Sequence, residues 1–280
     1  MNRKLLNAIF TTLMWLATVI CCAVLCFIIT VIVSEGAKAI TVDFLFTPAK
    51  NFGSEGGIVY QIFGSFLLIV FAGFMSLPVA LGVALYKSEY LENPRLQRLS
   101  DLVLYGLNAV PSVVFGIFGL IFFVNILHTG LSWLVGAVIL AIMILPTIIL
   151  SCYQVMNSIP NSYREAARAL GFDTWQVITK VILPQGVGGA ITGLLIGLAR
   201  AVGETAPIMF VATAFSGVTL PGSLNSPVST LPTHILALSK QATQEQALVN
   251  AWGTSLVLLG IVLLLSSAAL ASREFFKIRV

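Results

Sequence analysis

The sequence predicts an all-α, polytopic membrane protein with six transmembrane helices. Of its 280 residues, 58% are hydrophobic and only 9% are charged, which excludes a soluble domain with a polar surface. Apolar runs of about 20 residues are each long enough to cross a ~30 Å hydrocarbon core as a helix. The runs lie at residues 9–33, 58–86, 102–127, 131–152, 190–216 and 252–271.

Lysine and arginine are distributed unevenly between the six runs, and this asymmetry predicts the orientation. The side that holds both termini carries positions 3, 4, 87, 95, 98, 164, 168, 180, 273, 277 and 279, whereas the other side carries only Lys38, Lys50 and Lys240. Both termini are therefore predicted to be cytoplasmic, in a multi-pass protein of the cell (inner or plasma) membrane. The net charge of +4 reflects this sorting, and no basic patch indicates a nucleic acid as partner.

Residues 1–57 are predicted to form the first transmembrane helix and an outward loop. In the next two spans, Pro78 and Pro111 are each expected to kink the helix, because proline lacks an N–H and clashes with the preceding turn. Pro94 is expected to discourage a helix in the inward loop 87–101. Asn108 and Ser112 have the i,i+4 spacing of one helix face, where they could hydrogen-bond within the bundle or contact a polar solute.

The longest polar segment on the basic side, residues 162–184, contains two helix-start patterns. Ser162 and Glu165 have the spacing of a capping box, and Asp173 and Gln176 repeat that spacing after Gly171. The pattern predicts a helix, a glycine turn and a second helix.

The first of these short helices is built on small side chains, Ala166, Ala167 and Ala169. Small side chains let two backbones approach closely, so this helix suits a groove on another protein. The alternative is an ordinary loop with two capped helices.

The fifth span contains the charges Arg200 and Glu204, which share a predicted helix face with Gly193 and Gly197. Charged groups at this depth are expected to face the bundle interior or a water-filled path. Because an arginine fork can hold two oxygens of a tetrahedral oxyanion, Arg200 is the candidate anion contact and Glu204 a candidate gate partner. The alternative is a static ion pair that joins two helices.

The sequence contains no pattern of a nucleotide, nucleophile or metal site. The glycines that follow Pro184 lack the Lys-Ser or Lys-Thr ending of a phosphate-binding loop, and the Gly-x-Ser-x-Gly and His-Glu-x-x-His motifs are missing. His128 and His234 have no metal-ligand spacing and are interpreted as polar loop residues. We therefore predict no catalytic residue, metal or cofactor in this chain, and expect any ATP to be bound by another subunit.

Glu165, Ala166, Ala167 and Gly171, followed by Val-Ile-Leu-Pro ending at Pro184, resemble the EAA loop of ABC-importer permeases. Valine stands where that family usually has isoleucine. The segments GLARAVGETAP, PSVVFGIFGL and LPTHILAL are similar to segments of phosphate-importer permeases, a narrower group.

This resemblance implies a type I ABC-importer (MetI-like) transmembrane domain over residues 58–272, followed by a cytoplasmic tail, 273–280. It also implies that segment 162–184 couples to the ATPase and that the function is ATP-driven phosphate import. The implied partners are a second homologous permease, two subunits that bind ATP and magnesium, and an extracytoplasmic phosphate-binding protein, which would meet loops 34–57 and 217–250.

Three alternatives stay open at this stage. The first is an ABC permease for sulfate or molybdate, because either anion would suit Arg200 electrostatically. A secondary transporter driven by an ion gradient is disfavoured, because no inverted repeat is evident. A membrane-embedded enzyme would need a nucleophile or metal motif that the sequence lacks.

Overall fold

The computed structural model describes residues 3–213, 220–241 and 243–275, and the predicted all-α membrane fold is confirmed. The helices are α1 (Arg3–Gly36), α2 (Val42–Phe46), α3 (Val59–Glu89), α4 (Pro94–Ala109), α5 (Ser112–Gly119), α6 (Trp133–Asn157), α7 (Asn161–Ala169), α8 (Thr174–Val177), α9 (Leu183–Val202), α10 (Ala206–Val211), α11 (Leu231–Ser239) and α12 (Glu245–Phe275). Wider π-helical turns extend α5 through Leu120–Ile126 and join α8 to α9 through Ile178–Ile182.

The helices account for up to six membrane crossings. Five segments are long and apolar enough to span a membrane, namely Ile9–Gly36, Val59–Glu89, Trp133–Asn157, Thr174–Val202 and Glu245–Phe275. The pair Pro94–Ala109 and Ser112–Ile126, bent by 87°, forms a sixth crossing if it is counted as one span.

Helix α1 lies on the outside of the bundle, and apolar side chains along its length are exposed, such as Trp15 and Phe27. In a lipid bilayer these side chains face hydrocarbon at no cost. The helix approaches α12 closely at Gly36, where an added Cβ atom would lie only 2.7 Å from the carbonyl oxygen of Trp252.

Helix α6 forms the centre of the bundle and packs against α3 and α9. Its contact with α9 depends on glycines, since a Cβ atom at Gly189 would lie 2.7 Å from the Val155 side chain and one at Gly193 2.6 Å from Ser151. The Ser151 hydroxyl donates to the Gly189 carbonyl at 3.1 Å. Small residues and interhelical hydrogen bonds are the usual means by which membrane helices associate.

The third crossing differs from the prediction at both ends. Pro94 does not prevent a helix but starts one, because Asn93 caps it by accepting from the Arg95 N–H and proline is tolerated in the first turn. The inward loop therefore spans only residues 90–93. Pro111 breaks the span rather than kinking it, so α4 and α5 are separate helices. By contrast, α3 continues through Pro78.

The fifth crossing also differs from the predicted span of 190–216. Its helical path begins at Thr174 and ends at Val202, after which Gly203 and two further residues separate α9 from α10. Arg200 thus lies in the last turn of α9, whereas Glu204 lies beyond it. Residues 214–216 of the predicted span are outside the described residues, as are 276–280 of the predicted tail.

Only one of the two predicted capping boxes forms. Asp173 accepts from the Gln176 N–H at 2.7 Å, and the Gln176 side chain accepts from the Asp173 N–H at 3.1 Å. The box predicted at Ser162 is wrong, because α7 already begins at Asn161 after Pro160. Proline has a φ angle suited to a helix start, so Ser162 falls inside the first turn rather than before it.

The end of the bundle opposite α7 is formed by α2, α11 and a small hairpin that pairs β1 (Ala49–Lys50) with β2 (Glu55–Gly56). His234 was predicted to be a polar loop residue, and this is wrong: it lies in α11 and is only 4% exposed. Burial lowers the pKa of its imidazole to about 4. The ring packs against Gly53, where any Cβ atom would collide with it.

Candidate functional site

The first candidate site is centred on Arg200, in the last turn of α9. Its Nη1 donates to the Asn108 side-chain oxygen at 2.8 Å. This amide is the one hydrogen-bond acceptor that the described residues supply to the guanidinium, which has five N–H donors in a planar fork. The side chain is 34% exposed and lines a cavity, so it is partly accessible to a ligand.

Asn108 is held from a second side. Its Oδ1 also accepts from the Thr147 hydroxyl of α6 at 3.1 Å. Because one oxygen receives both donors, the amide is oriented with its oxygen toward Arg200. Asn108 is a predicted site residue that the structure brings to Arg200. Thr147 was not predicted as a site residue from the sequence. The only sign of it there is a hydroxyl side chain directly after Pro146 within an apolar span.

Glu204 lies near Arg200 but does not hydrogen-bond to it. The Arg200 Nε and a Glu204 carboxylate oxygen are 3.8 Å apart, and the Glu204 side chain is 16% exposed. The prediction that Glu204 shares a helix face with Gly193 and Gly197 is wrong, because α9 ends at Val202. The carboxylate reaches Arg200 from the irregular segment between α9 and α10, where the Glu204 N–H donates to the Ala201 carbonyl at 3.2 Å.

Ser112 does not join this cluster. Its predicted i,i+4 relation to Asn108 required a continuous helix, and the break at Pro111 separates the two. Ser112 is instead the first residue of α5 and is half-buried. Within the described part of the chain, its hydroxyl has no hydrogen-bond partner.

The two helix breaks lie in neighbouring crossings. Beyond the breaks, α5 packs on α10 so closely that a Cβ atom at Gly116 would lie 3.0 Å from the Cα atom of Pro207. Before the breaks, Asn108 lies in the last turn of α4 and Arg200 in the last turn of α9. Interrupted membrane helices that meet at depth are the usual setting for a polar solute site, because their free backbone groups and side chains can line a cavity.

A cavity of 540 Å³ leads from Arg200 along the groove between α9 and α12 to Arg273. Its walls are mainly apolar, with Ile196 and Leu270 among them, and the hydroxyls of Thr192 and Ser266 lie between the two arginines. Arg200 is therefore reachable from the end of the bundle that carries the basic residues.

The second candidate site is the segment 162–184 at that end. Glu165 and Ala166 are exposed on α7, whereas Ala167 is buried. Pro184 is exposed at the start of α9. Gly171 adopts a φ of +85°, and no atom lies within 4 Å of the place where its Cβ would be.

The exposed side of this segment also carries large apolar side chains. Tyr163, Leu170 and Trp175 are all at least half exposed. Exposed aromatic and aliphatic side chains rimmed by charges are typical of a protein-binding surface. Of the predicted residues, Glu165, Ala166, Gly171 and Pro184 are thus exposed together with these three apolar side chains, whereas Ala167 is not.

Two ion pairs at this end, each with one almost completely buried partner, were not predicted from the sequence. Arg164 of α7 binds Glu89 at 2.8 Å, and Lys87 binds Asp101 at 3.0 Å. Mixed charge in residues 87–101 was the only signal, and it does not reveal which partners meet.

Most of this chain matches the model of a known protein family. The family model described as "Binding-protein-dependent transport system inner membrane component" matches residues 76–277, which include both candidate sites.

Several curated relatives resemble this chain over nearly its whole length. One is the phosphate transport system permease protein PstA of Pasteurella multocida (strain Pm70), 30% identical over 94% of this chain and 92% of the relative. The probable ABC transporter permease protein YqgI of Bacillus subtilis (strain 168) is 29% identical over 96% of this chain and 95% of the relative.

Solved structures share the fold at low sequence identity. An inward-facing form of the MetNI methionine ABC transporter aligns with a TM-score of 0.63 at 19% identity, over 79% of this chain and 96% of the matched chain. A bacterial ABC transporter that imports alginate aligns with a TM-score of 0.65 at 16% identity, over 96% and 98% of the two chains.

Proposed function

We propose that this chain, which belongs to the family of binding-protein-dependent transport system inner membrane components, is the permease subunit of an ATP-driven importer of inorganic phosphate. It would form half of the translocation path. The observation that carries this proposal is Arg200: a guanidinium at a helix break within the membrane, anchored by one amide and partly accessible to a ligand.

Phosphate is favoured among possible cargoes for two reasons. Arg200 presents a planar fork that matches two oxygens of a tetrahedral anion and stays charged at any relevant pH. Several relatives that match most of this chain are named as phosphate transport permeases. The first reason applies equally to sulfate and molybdate, so the choice among oxyanions rests on the second.

The geometry supports a simple account of passage. A charged solute cannot enter hydrocarbon unsolvated, so it requires fixed donors at depth. Asn108 accepts a hydrogen bond from Nη1 of Arg200, whereas the Glu204 carboxylate stays 3.8 Å from Nε and makes no hydrogen bond to it. An arriving phosphate would displace Glu204 from Arg200, and the returning carboxylate would favour release of the anion toward the cavity between α9 and α12.

Energy would come from partner subunits rather than from this chain. We infer that segment 162–184 docks on an ATP-hydrolysing subunit through Glu165, Ala166 and the apolar side chains beside them. ATP and magnesium would bind to that partner subunit. A second homologous permease would complete the path, and an extracytoplasmic phosphate-binding protein would meet the loops around 34–57 and 217–250. Both termini would be cytoplasmic, which places the docking segment on the same side as ATP.

Uptake of radiolabelled phosphate into proteoliposomes tests the proposal. The vesicles hold this chain with its co-purifying partners, the binding protein is supplied outside, and ATP is enclosed or omitted. We expect uptake only with enclosed ATP, and expect unlabelled phosphate to compete better than sulfate or molybdate.

Two results would contradict parts of this proposal. Uptake that ignores ATP and follows an imposed ion gradient would show a secondary transporter. ATP-dependent uptake that another oxyanion competes for better than phosphate would leave the importer intact but change its cargo.

A further inference from the structure

The last turn of α3 carries two oppositely charged side chains that are almost completely buried. The Lys87 side chain is 2% exposed and the Glu89 side chain 5% exposed. Each pairs with a different helix, Lys87 with Asp101 of α4 and Glu89 with Arg164 of α7. Burying charge costs free energy unless it is paired and hydrogen-bonded, so each pair constrains the position of the helix that it joins.

The pair between α7 and α3 is extensive. Arg164 donates through Nη2 and Nε to the two oxygens of Glu89, at 2.8 and 3.1 Å. It also donates to the backbone carbonyls of Ile159 and Met156, at 2.6 and 3.1 Å, at the end of α6. This side chain is therefore committed to the bundle, unlike exposed Glu165 beside it, and α7 cannot shift without displacing the end of α3.

The pair between α3 and α4 is more open, because the Asp101 side chain is 42% exposed although Lys87 is buried. The Lys87 ammonium lies 3.0 Å from an Asp101 carboxylate oxygen and 4.6 Å from the centre of the Tyr153 ring. It also donates to the Gln97 carbonyl at 3.5 Å. These contacts fix the first half of α4 to α3, while the cation–π contact fixes both to α6.

Helix α4 connects this end of the bundle to the anion site. Its 16 residues form a rod of about 24 Å, with Asp101 in its first half and Asn108 at its end. Asn108 orients Arg200. A continuous set of helices and charge pairs thus runs from α7 to the side chain that we assign to phosphate.

We propose that Lys87 and Glu89 form a charged joint that transmits movement of α7 through α4 to Asn108 and Arg200. The inference rests on the proposed function, since it identifies the route by which a partner ATPase acting on segment 162–184 would change the hold on Arg200. Lys87 and Glu89 are positioning residues in this scheme, because neither contacts the transported anion.

The test measures phosphate transported per ATP hydrolysed in the reconstituted complete transporter. Glu89→Gln keeps the shape of the side chain and removes its charge, so the Arg164 guanidinium loses its counter-charge and one of the two oxygen acceptors. We expect the ratio to fall roughly tenfold, within the usual range of coupling between sites, while ATP hydrolysis and subunit stoichiometry persist. Exchange of the pair, Glu89→Arg with Arg164→Glu, should restore part of the ratio.

Glu92 serves as matched control, because the same Glu→Gln change falls three residues beyond Glu89 on a residue that is exposed. Within the described residues its side chain has no ion pair, so Glu92→Gln should leave the ratio unchanged. Wild-type protein in the same vesicles separates the two hypotheses: if it fails to take up phosphate with ATP, the proposed function is wrong. If it transports and Glu89→Gln has the wild-type ratio, only the joint is wrong.

A second variant covers the case in which Glu89→Gln does not assemble. Arg164→Lys keeps the charge but loses the fork geometry, and we expect it to assemble with a reduced ratio. A wild-type ratio in Arg164→Lys would overturn the proposal. Failure of all three Glu89 and Arg164 variants to assemble would also overturn it, since the pair would then be a structural clip needed for folding.

Discussion

At the scale of single residues, Arg200 is the side chain with the clearest chemical role. Its two polar neighbours differ in distance: Asn108 accepts a short hydrogen bond from it, whereas Glu204 stays 3.8 Å away. A static ion pair would be expected to close to hydrogen-bonding distance, as Arg164 and Glu89 do at 2.8 Å. The open geometry therefore favours the anion-contact interpretation over the static pair.

We predict that Arg200→Gln lowers ATP-driven phosphate uptake by about tenfold to a hundredfold. The reason is the loss of hydrogen bonds to a charged group, which contribute about 1.5 to 3 kcal/mol each. Uptake is measured in proteoliposomes, and co-purification of the partners shows whether the complex still assembles.

The static-pair alternative makes the opposite prediction for this variant. If Arg200→Gln prevents assembly, or if the exchange of Arg200 and Glu204 restores transport, the pair is structural. Arg3→Gln, which changes an exposed arginine outside the proposed sites, is the control for unspecific loss.

The residue candidates differed in how far the sequence could identify them. Arg200 and Glu204 stand out because charge within an apolar span is costly and rare. Lys87 and Glu89 do not, because charges at the end of a span usually face water. Only the positions of Asp101 and Arg164 in three dimensions reveal that these two are buried and paired.

At the scale of elements, the turn between α7 and α8 depends on Gly171. Its φ of +85° lies in the left-handed region, and no atom is near the place of its Cβ. A side chain at position 171 would therefore be disfavoured by the backbone conformation and not by a clash with neighbouring atoms.

We predict that Gly171→Leu lowers the ratio of phosphate transported to ATP hydrolysed while the complex still assembles. A left-handed conformation costs a bulky L-residue about 1 to 2 kcal/mol, so the turn would relax and reorient α7. Gly171→Asn is the matched control, because asparagine tolerates this region and should retain most coupling. A wild-type ratio in Gly171→Leu would argue against a lever role for this segment.

Helix starts show where local patterns suffice and where they do not. The Asp173 and Gln176 box forms because nothing nearby competes with it. The similar pattern at Ser162 fails because Pro160 starts the helix before the serine. The break at Pro111 was anticipated as a kink, but its 87° angle depends on the packing of α5 against α10.

At the scale of the whole molecule, the distribution of lysine and arginine predicts that α7 and both termini share the cytoplasmic side. We expect a protease site added after Val280 to be cut in inside-out vesicles and protected in right-side-out ones. A second site inserted after Gly222, in the largest loop of the opposite end, should behave in reverse and serves as the control. Cleavage of both sites from the same side would contradict the six-span topology.

The sequence by itself determined the class of the protein, because 58% hydrophobic residues in runs of membrane-spanning length leave hydrocarbon as the only suitable surrounding. It also identified Arg200 and Glu204 as charges in an apolar stretch and segment 162–184 as the candidate docking segment, since both depend on local residue types. The relation of Asn108 to Arg200, the failure of Ser112 to join them and the buried joint at the end of α3 were decided only by the tertiary structure. These features depend on where helices break and which ends meet, and both are set by packing between residues far apart in the chain.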